Sequence, residues 1–337
     1  MTSYDDTSDG VAGVALAGGA SSPFALHLAI MLALAAVIFA LPALGFYPFV
    51  LSEILCFALL ACAFNMLLGY GGLLSFGHAM FFGFASYIAA YTAKNGIVSL
   101  GIPPLSPELA ILLGTLVAAA LGVVTGALAI RRQGIYFAMI TLALAQMVYF
   151  VALQAPFTGG ENGIQAVPRG HLFGIIDLQN DVTLYYTVAV IFLAGFLLIY
   201  RIIHSPFGQV LKAIRDNEPR AISLGYRVNR YKLLVFVLSA TLAGVAGSTK
   251  AIVSQLATLT DVHWGTSGEV ILMTLVGGMG TIFGPVVGAV IIVAIQNYLN
   301  NLGAWVTIVQ GTIFVICVLL FKEGLVGMLS RAIGRPL

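Results

Sequence analysis

Residues 205–232 read SPFGQVLKAIRDNEPRAISLGYRVNRYK. The stretch holds eight charged side chains, six of them basic, in a chain whose 337 residues carry only 15 Lys and Arg and 13 Asp and Glu. On either side lie 183–203 and 233–252, apolar runs near the ~20 helical residues that cross roughly 30 Å of hydrocarbon. A polar insert between two such runs is a loop held in water while its neighbours sit in lipid.

Working outward, the whole chain is 60% hydrophobic and 8% charged, far below the roughly 25% charged of soluble domains, and its mean hydropathy is +1.03. Further runs lie at 26–44, 51–69, 76–93, 109–130, 135–153 and 304–321, and the run 266–300 is long enough for two crossings, broken at GGMGTIFGP (277–285). The fold class read from this is all-α: a polytopic membrane helix bundle of about ten transmembrane helices, some short or broken. Gly and Pro in the 277–285 break free backbone groups that lipid cannot satisfy, so the break is predicted to be buried in protein or to line a watery cavity.

Orientation follows from the loop Lys and Arg. With the N-terminus cytoplasmic and ten helices, twelve of the 15 basic residues face inward: Arg131, Arg132, seven from Arg201 to Lys232, Lys322, Arg331 and Arg335. Lys94 and Arg169 face out, and Lys250 lies near an outer helix end. Both termini are then cytoplasmic. The organisation expected is a disordered tail over 1–25, a membrane domain over 26–322 with an outer loop at 154–182 and the cytoplasmic hairpin at 205–232, and a cytoplasmic tail over 323–337. The first 25 residues carry Asp5, Asp6 and Asp9 but no Lys or Arg, so the charged start of a cleaved signal peptide is missing. Cys56, Cys62 and Cys317 all sit in apolar runs as small hydrophobes. No basic face recurs outside the hairpin, which argues against nucleic acid.

The hairpin has its own grammar. Ser205 caps a helix with Pro206 at its first position, and Phe207, Val210, Leu211 and Ile214 fall on one face. A second start at Asn217 or Glu218 with Pro219 leads to Ala221, Ile222 and Leu224, with Gly225 placed for a left-handed stop. Two short capped helices joined at Arg215–Glu218 form a rigid polar protrusion, suited to a groove on another protein. The rival reading, a helix resting on anionic lipid, is weakened by its small apolar faces and its two acids at the turn.

Here the residues reach a resemblance. FGQVLKAIRDNE (207–218), AISLG (221–225) and YKLLVF (231–236) resemble the cytoplasmic coupling loop of the LivM-type permeases of branched-chain amino-acid ABC importers. NMLLGYGGLLSFGH (65–78), GIYFAMITL (134–142), TGGENG (158–163) and LVGGMGTIFGP (275–285) support it, in order over roughly residues 45–327. The resemblance implies that Lys212, Arg215, Asp216, Asn217, Glu218, Ala221, Leu224 and Gly225 seat in a cytoplasmic ATPase. It implies as partners two such ATPases, which use ATP and Mg, a second LivH-like permease, and a periplasmic or lipid-anchored substrate-binding protein, in the bacterial inner membrane. The chain itself is expected to bind no cofactor and no metal, and not to be an enzyme. Pro219 and Arg220 stand where the family usually has small residues, and Arg220 is a candidate salt bridge to the partner.

Other residues are weighed on their own. Ser75 and His78, three apart, invite a nucleophile-and-base reading, but no third member or oxyanion site accompanies them. GVAGSTK (244–250) has its Lys last and is not a phosphate loop. Gly71-Gly72 before Ser75 and Gly277-Gly278 before Thr281 share a pattern at inward turns, a trace of two equivalent halves. Gly71, Gly72, Gly77, Gly277, Gly278, Gly280, Gly284 and Gly288 are read as packing or helix-break positions, the last three recurring every four residues. Asn65, Ser75, His78, Thr141, Gln146 and Thr274 are candidate contacts for a small zwitterion on its path. Glu53, Lys250 and Glu269 fall toward outer helix ends, and without a midplane carboxylate an ion-coupled secondary carrier, the alternative function, is disfavoured.

Overall fold

The computed structural model describes residues 23–96, 103–174, 176–299, 305, 308–309, 311–312, 315 and 324–333. The chain divides into two units, Met1–Ile38 and Phe39–Leu337. The first contains most of helix α1 (Pro23–Ala40), apolar apart from His27.

The second unit is built on α2 (Pro48–Asn65), which runs into a π-helical turn over Met66–Tyr70. Ile54–Asn65 is buried without interruption, because Ala58, Ala61 and Ala63 let neighbours close in around it. After α2 come α3 (His78–Asn95), α4 (Pro107–Ala129), α5 (Ile135–Gln154) and α6 (Asp181–His204), of which α6 packs on α2. They are followed by the short α7 (Pro206–Asp216) and α8 (Glu218–Ser223), then the long α9 (Val228–Ser254). A one-turn α10 (Leu259–Val262) leads to α11 (Trp264–Gly277), α12 (Gly284–Leu299) and a last helix, α13 (Gly324–Ile333). Helix α9 packs on α2, α3 and α4, while α12 packs on α2 and α11.

Among the described residues, five helices are long and apolar enough to cross a membrane: Pro48–Tyr70, Pro107–Ala129, Ile135–Gln154, Asp181–His204 and Val228–Ser254. Burial separates them. The α2 span is 78% buried and α9 67%, against 33% for α4 and 28% for α5, so α2 and α9 form the interior and α4 and α5 turn most of their apolar side chains outward. At 1.5 Å per residue the 14-residue α11 reaches only about 21 Å, short of a full crossing. The interruption predicted at 277–285 is the gap between α11 and α12, residues 278–283.

Hydrogen bonds sort the connections into two ends. At one, here the strand end, β1 (Ile164–Gln165) pairs antiparallel with β4 (Leu256–Ala257), and β2 (His171–Leu172) with β3 (Ile176–Asp177). There Lys94 Nζ donates to the Gln165 carbonyl at 2.7 Å and Arg169 Nη2 to Val253 at 3.0 Å. At the other, the hairpin end, the 66–77 connection, the α4–α5 turn, α7–α8, the 278–283 break and the start of α13 come together. This partition matches the alternation of loops expected from the basic residues.

Three expectations need correction. The segment 323–337, expected as a tail, contains α13, whose Gly324 abuts Gly278. Gly280 does not share a helix face with Gly284 and Gly288: it lies in the break at φ +76, while Gly284 opens α12. There Gly277, Gly284 and Gly288 bring α11 and α12 to backbone contact, a Cβ on Gly288 meeting the Met273 carbonyl. The tail expected over 1–25 is helical from Pro23, its first 22 residues lying outside the described ones, as does most of the 304–321 run.

Candidate functional site

The hairpin end carries the site. Ser205 Oγ accepts from the Gly208 amide at 3.4 Å and donates to the Ile202 carbonyl at 2.6 Å, which ends α6 and caps the start of α7. Asn217 Oδ1 accepts from the Arg220 amide at 3.0 Å and caps α8. Helix α8 ends in a complete Schellman motif: the Tyr226 amide donates to Ala221 at 3.2 Å, the Gly225 amide to Ile222 at 2.9 Å, and Gly225 takes φ +86. Ile214, Ala221 and Val228 make a small core under Val210 and Tyr231, and Phe207 stacks on Tyr231 at 5.6 Å.

Two anchors fix this unit to the bundle. Glu218 bridges to Lys232 at the base of α9 at 2.7 Å, and its other oxygen accepts from Gln133 of the α4–α5 turn at 2.8 Å. On the other side Lys212 lies 5.5 Å from the Tyr70 ring, and Arg215 Nη1 donates to the Gly69 carbonyl at 2.5 Å. Asp216 Oδ1 holds the same guanidinium at 3.0 and 3.1 Å. Lys212, Arg215 and Glu218 are thus turned toward the bundle. Ile222, Leu224 and Tyr226 stay exposed at the tip, at 57%, 69% and 42%, beside the exposed Arg220, Arg227 and Arg230.

The residues read as path contacts are placed differently. Asn65 is buried, its amide nitrogen donating to the Thr281 carbonyl at 2.8 Å and its oxygen accepting from the Gly280 amide at 2.9 Å. It therefore satisfies the broken backbone between α11 and α12, which was expected to need protein around it. Ser75, His78 and Thr141 do come together at the start of α3: Thr141 Oγ1 accepts from the Phe76 amide at 3.2 Å, and Ser75 Oγ from the Gly77 amide at 3.2 Å. His78 Nε2 bonds Ser239 Oγ at 2.8 Å, not Ser75, so the two are not a nucleophile–base pair. Gly77 sits where a Cβ would meet the Thr141 carbonyl at 2.9 Å. Thr274 Oγ1 turns back to Val270 O at 2.9 Å, and Gln146 is half-buried on α5, apart from the others. Gly71 abuts the Leu67 carbonyl. Among the described residues no three His, Cys, Asp or Glu converge as metal ligands.

Sequence reasoning missed Asp261. Lys250, singled out as an outer-end charge, bonds both its oxygens at 2.9 and 2.7 Å, the two side chains 9% and 8% exposed. The signal was present as Thr258-x-x-Asp261, a capping box that sets the carboxylate at the head of α10. Glu53 accepts from Asn297 at 3.2 Å.

The family model described as branched-chain amino acid transport system, permease component, matches residues 46–318, which include the hairpin, both glycine turns and the broken α11–α12 pair. The chain belongs to this family. The permease is 26% identical over 295 residues to the high-affinity branched-chain amino acid transport system permease protein LivM of Salmonella typhimurium, covering 81% of this chain and 68% of that one. With the Escherichia coli K12 protein of the same name the identity is 25% over 295 residues. The ribose import permease protein RbsC of Bacillus subtilis matches at 28% over 197 residues, 53% of this chain and 58% of that one. No solved structure matches. The permease is thus a multi-pass translocation component of the ABC importer class, in a group whose relatives extend beyond amino-acid systems.

Proposed function

We propose that this permease moves branched-chain or related amino acids across the bacterial inner membrane, with its hairpin seated in a cytoplasmic ATPase. Two such ATPases, binding ATP and Mg, a second LivH-like permease and an extracytoplasmic binding protein complete the importer. Both termini lie in the cytoplasm, on the hairpin side. Alternating access follows when ATPase closure pulls the hairpin and tilts the helices to which it is anchored.

The observation that carries this reading is the hairpin itself. It is capped at both starts, closed by a Schellman motif and bonded to two separate parts of the bundle, yet it leaves Ile222, Leu224 and Tyr226 uncovered beside three arginines. A rigid element with an apolar, basic-rimmed tip fits an acidic-rimmed groove on a soluble subunit. Among the contacts expected from the resemblance, Leu224 and Gly225 belong to this tip, Ala221 is buried beneath it, and Lys212, Arg215 and Glu218 hold it in place. The amino-acid cargo is supported by the LivM relatives, against the ribose permeases that match over a shorter stretch.

Co-purification from native membrane tests it. The wild-type chain brings down an ATPase and a second permease. Gly225→Trp, which forces a side chain into a left-handed position on the exposed tip, and Leu224→Asp release the ATPase while the chain stays folded. A wild-type chain that emerges alone and transports solute without ATP establishes the secondary carrier instead. Competition of radiolabelled leucine uptake by valine, isoleucine and ribose then settles the cargo.

A further inference from the structure

Two interruptions of helical backbone meet at the hairpin end, and one side chain of the hairpin reaches their junction. The π turn at Met66–Tyr70 ends α2, and the 278–283 break separates α11 from α12. They touch through backbone: a Cβ on Gly69 would lie 2.6 Å from the Gly280 nitrogen. Asn65 sews them together with its bonds to Gly280 and Thr281. Arg215 Nη1 bonds the Gly69 carbonyl and comes within 3.8 Å of the Cβ position of Gly280. The arginine stem lies against Gly72, where φ is +67 and a Cβ would meet Cγ at 2.9 Å. Three glycines from the two turns thus leave a slot that the Arg215 side chain fills, with Asp216 fixing the plane of its guanidinium.

We infer that Arg215 is a positioning residue that passes hairpin movement to both interruptions at once, and that Asn65 makes them respond together. Arg215 then contacts the permease rather than the ATPase, and Asn65 serves the moving joint rather than the cargo. The physical reason lies in the kind of backbone it holds. A π turn and a glycine break are the places where a helix can change register or direction without breaking a packed core, since their hydrogen bonds are already irregular. A charge-assisted bond to one carbonyl there is strong enough to pull, and its partly exposed position lets it re-form after each cycle. The second anchor, Glu218–Lys232, takes the hairpin's other side to α9, so the same displacement acts on α2, α11–α12 and α9 together.

This inference rests on the ATPase reading above, and the test separates the two. In the importer purified with its own partners, Met279→Cys places a thiol on the exposed face of the break. Maleimide labelling of the peptide carrying residue 279 is followed by mass spectrometry, with and without ATP plus vanadate. Nucleotide is expected to change the labelling rate at least about fivefold, a typical site-to-site coupling. Added Arg215→Ala or Asn65→Ala abolishes that change while the ATPase still co-purifies, and Arg215→Lys, which keeps one donor for the carbonyl, restores part of it. Leucine uptake per ATP hydrolysed falls in the same order. A nucleotide response that survives Arg215→Ala overturns the inference, as does a wild-type break that ignores nucleotide. Loss of the ATPase from Arg215→Ala makes Arg215 a docking contact and overturns it too. Absence of any ATPase from the wild-type preparation sinks the importer reading itself.

Discussion

At the strand end Lys250 and Asp261 face each other with 9% and 8% of their side chains exposed, whereas at the hairpin end Arg215 and Asp216 pair with 39% and 65% exposed. The strand end is stitched throughout: Arg169 joins Asp181 to the Val253 carbonyl, and β1 pairs with β4 across the mouth of α9. At the hairpin end Arg215 hangs by one bond on the Gly69 carbonyl beside the broken backbone at 278–283, while the less exposed Glu218–Lys232 pair holds the hairpin's other side. A buried ion pair holds position because separating it strands a charge out of water. A half-exposed pair in a glycine slot costs little to break and remake. The strand end thus holds position, and the Arg215 side of the hairpin end is the part we infer to move.

Four substitutions test that contrast, from the largest expected loss of stability to the smallest. Asp261→Ala leaves the Lys250 ammonium buried alone and costs about 3–5 kcal/mol, seen as a large drop in thermal midpoint in detergent. Replacing both partners, Lys250→Met with Asp261→Leu, recovers most of it, and failure to recover assigns the pair a role beyond packing. Asn65→Leu removes the partners of the Gly280 amide and Thr281 carbonyl, costs about 2 kcal/mol, and speeds hydrogen exchange at 278–284 selectively. Glu218→Gln weakens the hold on Lys232 by about 1 kcal/mol, less than at Asp261 because Glu218 is 20% exposed and water compensates. Lys94→Ala, an exposed cation on a strand-end carbonyl, changes stability by less than about 1 kcal/mol. If Lys94→Ala proved as costly as Asp261→Ala, burial would not be what separates the two ends.

The local features were legible before any fold was known. The caps at Ser205 and Asn217, the left-handed stop at Gly225 and the break near Gly278 are each written within a few residues, because capping and turn chemistry act over one helical turn. The start of α13 was not legible: the short apolar stretch at 324–333 is marked only by its contact with α11 and α12. Gly280 was misplaced by its four-residue spacing from Gly284, since spacing fixes a face only once the helix is known to continue.

The sequence by itself determined the membrane class, the five long spans and the capped hairpin, because hydrophobic length and cap residues report on the few residues around them and on the surrounding solvent. Only the tertiary structure decided what the polar residues in those spans are for. Arg215 and Gly69 are 146 positions apart, Asn65 and Thr281 216, and Glu53 and Asn297 244. Such pairs form where packing brings distant backbone together. Neither partner carries a local mark of the other, so the asparagine expected to meet cargo is found bonded to the backbone of the break between α11 and α12.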